Sequence, residues 1–74
     1  MQTAEYTTLV LVKDVKADDV ERVGNSVWGY EYRTIVKVEK LEGTRRVMIT
    51  KRNADGNVYS IVEAINTRLI IVTK

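Results

Sequence analysis

Between residues 26 and 40, in SVWGYEYRTIVKVEK, two kinds of side chain alternate. Trp28, Tyr30, Tyr32, Thr34, Val36 and Val38 occupy one set of alternate positions. Glu31, Arg33, Lys37 and Glu39 occupy the other, interrupted only by Ile35. A period of two is the spacing of side chains along one face of an extended chain, so the pattern predicts a long strand over residues 27–40. Shorter runs rich in β-branched residues predict strands at 6–13 (YTTLVLVK), 45–52 (RRVMITKR), 58–64 (VYSIVEA) and 68–73 (RLIIVT). Between them lie turn signals: Gly43 in LEGT, Asp55-Gly56 in NADGN, and INT at 65–67. The segment DVKADDVERVGN, 14–25, predicts a single helical or tight turn that tucks Val15, Val20 and Val23 inward, with Gly24 swinging the chain into the long strand.

Five strands with short turns, and no proline anywhere in the chain, predict a single all-β domain over residues 1–74. The expected form is a small five-stranded antiparallel barrel, because closure removes the sheet edges that invite aggregation. An oligonucleotide-binding-type barrel is the alternative. With 74 residues, a domain buries only about 60% of the surface its unfolded chain exposes, so modest stability, or help from association, is expected.

Composition narrows the chemistry. There is no cysteine and no histidine, so disulfides, thiolate or imidazole metal ligation and histidine acid–base catalysis are excluded. Asp18 and Asp19 are adjacent, which suits a turn and not a facing carboxylate pair. The isolated glycines form no phosphate-cradling loop. The chain is therefore read as non-enzymatic, with no cofactor and no metal. No apolar run approaches the roughly 18 residues that cross a bilayer, and the start of the chain lacks the layout of a signal peptide; a soluble, cytoplasmic protein without membrane association is expected. The net charge of +2 is unevenly spread. Residues 1–42 hold six Lys/Arg against eight Asp/Glu, and residues 43–74 six against two, which can leave one side of the domain basic.

The succession KADDVERVGN, an aromatic strand, TIVKVEK, RRVMITKRNADGNVY and a closing apolar strand resembles the small Src-homology-3-like β-barrel proteins of actinobacterial phages and plasmids. Val23-Gly24-Asn25 stands in the place of a valine-glycine-aspartate turn, and 53–59 in that of the distal hairpin. The resemblance covers the chain from about residue 15 and implies the barrel fold and a phage-type product that occupies a host protein.

Two functional readings follow, both of a non-catalytic binding module acting on a host protein or on nucleic acid. Aromatic side chains spaced two apart on a sheet can stack single-stranded bases if basic groups stand beside them. Tyr30, Arg33, Lys37, Arg45, Arg46, Lys51 and Arg52 are the candidates for such a surface. Against this, a small domain without phenylalanine needs its large residues for the core, so Trp28 and Tyr32 are expected inside. The second reading starts from Leu9, Val10, Leu11 and Val12 and from Leu69, Ile70, Ile71 and Val72. These runs are apolar on both faces, whereas a barrel strand needs only its inner face apolar. Either a homodimer or partner covers the outer side, or the 14–24 segment folds over it.

Overall fold

The computed structural model describes residues 5–73. It shows six strands, β1 (Tyr6–Leu11), β2 (Val20–Asn25), β3 (Gly29–Leu41), β4 (Arg46–Arg52), β5 (Val58–Ala64) and β6 (Arg68–Thr73), with a 3₁₀ turn at Val12–Asp14 after β1. All pairings are antiparallel, in the order β1-β6-β2-β3-β4-β5. β1 and β5 are the two edges and the sheet is not closed, in place of the expected five-stranded barrel.

The additional strand is β2, which arises within the segment expected to be only a turn. A tight turn is present: the Lys16 N–H donates to Asp19 Oδ2 at 2.9 Å, the Asp19 N–H donates to the Lys16 carbonyl at 3.1 Å, and Asp18 adopts φ 76°. From Val20 onward, however, the chain runs extended beside β3. Its period is masked in the sequence because one inward position is a charge. Glu21, paired with Arg33 on one side and Ile71 on the other, is buried.

β3 breaks its own alternation. The β3–β4 register shifts between Ile35 and Lys37, so Val36 is the extra residue of a β-bulge. Directly opposed residues share a face. Ile35 therefore faces inward with its neighbour Lys51, and after the bulge Val38 faces inward with Ile49. Tyr30, Tyr32 and Thr34 point to the other face. A bulge exchanges the faces of everything on one side of it, and here it moves Ile35 into the core and the tyrosines out.

The hydrophobic cluster of the core, among the described residues, is aliphatic: Val12, Val15, Ile35, Val47, Ile49, Leu69 and Ile71, with Val10, Val38 and Ile65 packed against it. Val12 opens the 3₁₀ turn and Val15 follows it, and the Val12 N–H is anchored on the Thr67 carbonyl at 2.8 Å. Of the three valines expected to turn inward, Val15 is buried and Val20 and Val23 are half-buried. Trp28 and Tyr32, expected as core, are both exposed. One buried ion pair crosses the interior: Lys51 Nζ donates to Glu21 Oε1 at 2.6 Å, with the two residues 4% and 5% exposed.

Candidate functional site

β2 and β3 outrun the rest of the sheet. Their pairing continues to Asn25–Gly29, while the last β3–β4 pair is Thr34–Arg52 and the only β2–β6 pair is Glu21–Ile71. The residues beyond, 22–25 and 29–33, form a two-stranded arm, and the molecule accordingly measures 49 × 24 × 22 Å.

The tip of the arm is tightly specified. Asn25 Oδ1 accepts hydrogen bonds from the N–H groups of both Val27 and Trp28, each at 2.9 Å. Gly24 has φ +102°, and a Cβ there would lie 2.3 Å from the Gly29 carbonyl oxygen, so the close crossing of the strands requires glycine. Gly29, at φ +93°, closes the three-residue turn. The result is that Val27 is 81% exposed and Trp28, the only tryptophan, 87% exposed.

An isolated two-stranded ribbon is marginal in water, and this one is braced from its outer face. Glu5, just before β1, accepts from Arg22 Nη1 at 2.9 Å and from the Tyr32 hydroxyl at 2.8 Å. The Arg22 guanidinium also lies over the Tyr30 ring, 4.2 Å from its centroid, a favourable cation–π arrangement. The hydrogen bond from Tyr32, then that from Arg22, holds the Glu5 carboxyl below its ordinary value of 4.5. Accepting that bond, the carboxylate raises the Tyr32 phenol above 10.0.

The candidate nucleic-acid residues are not gathered by the fold. Lys51 is removed from the surface by its buried pairing with Glu21, which corrects its place among the candidates. Arg33 pairs with Glu31 at 3.2 Å and Lys37 with Glu39 at 3.0 Å. Arg45 and Arg46 are exposed at the β3–β4 turn, the far end of β3 from Tyr30, and Arg52, exposed at the end of β4 opposite Thr34, stands on the tyrosine face next to Tyr32. Thus Tyr30 and Tyr32 share an exposed face whose nearest cation, Arg22, is already neutralised by Glu5.

The doubly apolar terminal strands divide by face. Val12, Leu69 and Ile71 are core and Val10 packs against it, which corrects their assignment to an interface. Leu11 and Val72 are half-buried. Leu9, 63% exposed, stands directly opposite Ile70, also exposed, on the outer face. The 14–24 segment does not cover them, since Val15 is spent in the core.

The sequence reading missed Glu5, Arg22 and Asn25. Asn25 had a legible signal: VGNSVWG places two glycines around a three-residue turn that opens with Asn. The brace had none, because Glu5 and Tyr32 are 27 residues apart. Among the described residues no three metal-ligating side chains cluster, and no helix is long and apolar enough to cross a membrane. No family model matches the chain, and neither a curated protein nor a solved structure matches it.

Proposed function

We propose that this chain is a non-catalytic binding module whose partner is a protein, engaged through the tip of the β2–β3 arm. The observation that carries the reading is the exposure of Val27 and Trp28 on a turn held by Asn25, Gly24 and Gly29. Side chains this apolar are stabilised by leaving water, and tryptophan anchors seated in pockets dominate many protein interfaces. Here the backbone geometry holds them out in solvent, away from the described core. Nucleic acid is the weaker partner, because Arg22 and Arg33 near the tyrosines are paired with carboxylates and Lys51 is buried, which leaves Arg52 beside Tyr32 where a strand-binding groove needs several cations for phosphate.

The test compares the wild-type chain with a Val27→Ser/Trp28→Ser double variant as bait for cell lysates. A protein retained by the wild type and lost by the variant is then purified and titrated against the wild type. The emission of Trp28 is expected to shift to the blue as the indole leaves water. Equal retention by both baits, or retention of nucleic acid alone with affinity that collapses as salt rises, overturns the reading.

A further inference from the structure

The flank of β3 that faces β4 is open where the arm leaves the sheet. Backbone groups of successive residues in an antiparallel strand point alternately to the two sides. The Ile35 N–H donates to the Asp19 carbonyl and the Ile35 carbonyl accepts from the Asp18 N–H, both at 2.8 Å, so the backbone of Ile35 faces the β2 side. By the same alternation, Arg33 and Glu31 face β2, paired there with Glu21 and Val23. Tyr32 and Tyr30 then aim their N–H and C=O groups at the opposite flank. β4 ends opposite Thr34, and among the described residues nothing takes its place. Two donors and two acceptors at strand spacing therefore have no partner among the described residues.

This flank is a walled notch and not a bare edge. A cavity of about 310 Å³ lies against it, lined by residues 30–33 and, at its floor, by Asn53, Ala54 and Asp55 of the β4–β5 turn. The floor is rigid: Asn53 Oδ1 accepts from the N–H groups of Asp55 and Asn57, each at 3.0 Å. The tyrosine rings stand on one face of the flank and the Glu31–Arg33 pair on the other. Among the residues lining the notch, Glu31 and Asp55 against Arg33 leave one excess negative charge, with Arg52 at its inner end opposite Thr34.

We propose that this notch docks a short extended segment of a partner protein that carries a lysine or arginine, adding as a strand beside β3 in line with β4. Four main-chain hydrogen bonds would hold the segment to Tyr30 and Tyr32, as in other cases of strand addition. Its apolar side chains lie along the tyrosine rings, and its cation meets Glu31 and Asp55. The proposal rests on the protein-binding reading above and specifies how the partner's backbone is held.

The test uses the full chain, isotope-labelled, with two synthetic probes: acetyl-Thr-Val-Lys-Val-Thr-amide and its counterpart with Glu in place of Lys. At about 5 mM, where even a dissociation constant of about 1 mM registers, the lysine peptide is expected to shift the Tyr30 and Tyr32 amide resonances. It should also slow their hydrogen exchange, with the glutamate peptide binding several-fold more weakly. A chemically synthesised chain carrying N-methyl tyrosine at position 32 is expected to keep its fold, since that N–H has no partner within the described chain, and to bind at least about tenfold more weakly. No shift at Tyr30 and Tyr32, shifts confined to β1 or β5, or equal binding by the N-methylated chain each overturn the notch. The two readings fail separately. Loss of partner by Val27→Ser/Trp28→Ser with no peptide binding leaves the tip and removes the notch; peptide binding at Tyr30 and Tyr32 with a partner indifferent to that variant does the reverse.

Discussion

The two halves of β3 are built from similar residues and meet opposite fates. Beyond the Val36 bulge, Val38 lies against Ile49 with β4 alongside, and just before it Ile35 is fully buried. In the first half, Tyr30 and Tyr32 are larger and richer in apolar surface, yet they stand in solvent with only β2 as neighbour. What separates them is the number of layers around each, not hydrophobicity. Ile35 and Val38 lie where strands on both sides and the Val12–Val15 segment close over the inner face. The tyrosines lie where β4 has already ended and β2 no longer pairs with β6. An apolar side chain is buried only where there is enough chain to bury it, and in so small a domain the arm uses up residues that the core would otherwise recruit.

The comparison predicts that disruption of the sheet interior costs most. Lys51→Met should destabilise the fold by about 3–5 kcal/mol, because it strands the Glu21 carboxylate in the core, and adding Glu21→Leu should recover most of the loss. Urea unfolding measures both; a single variant as stable as wild type would show that the interior is wetter than its burial indicates.

Gly24→Ala should have a smaller and local effect. The left-handed φ and the clash with the Gly29 carbonyl cost on the order of 1–3 kcal/mol, raising hydrogen exchange in residues 22–33 by about 10- to 100-fold while β4–β5 amides keep their protection. If the whole sheet loosens equally, the arm is not a separate unit.

The brace sets a pH window for the arm. The Glu5 carboxyl is lowered by its bonds from Tyr32 and Arg22, so its contribution is complete above the ordinary carboxylate value and is lost as pH falls through the lowered one. The Tyr32 phenol is raised by the same bond, so its contribution is complete below 10.0 and is lost as pH rises through the raised value. Between these limits the arm should hold its geometry. In Glu5→Gln, absorbance titration should find the late-titrating tyrosine returned toward its ordinary value, and the arm's exchange protection, relative to the intrinsic rate at each pH, should no longer fall in acid as it is expected to do in the wild type. An unchanged titration would place the raised phenol elsewhere.

The smallest effect is expected at the most conspicuous residue. Trp28→Ser should change unfolding free energy by no more than about 0.5 kcal/mol, the range of an exposed substitution, and should change binding instead. A large loss of stability would return Trp28 to a structural role.

Strand content, the β3–β4 and β4–β5 hairpins and the inward role of Val15 were legible because each is written locally, in alternation and in turn residues within a few positions. β2 was not legible, since its buried Glu21 is tolerated only by Lys51, 30 residues away, and no local pattern announces a partner at that distance. Nor could alternation along residues 28–38 assign a face, because one bulged residue, Val36, inverts the assignment for every residue on one side of it. The sequence sufficed for the β class and most strand positions, which depend on near neighbours. The open six-stranded order, the projecting arm and the exposure of its aromatic residues were decided by tertiary structure, because burial depends on which strands end first, and that is a property of the assembled sheet.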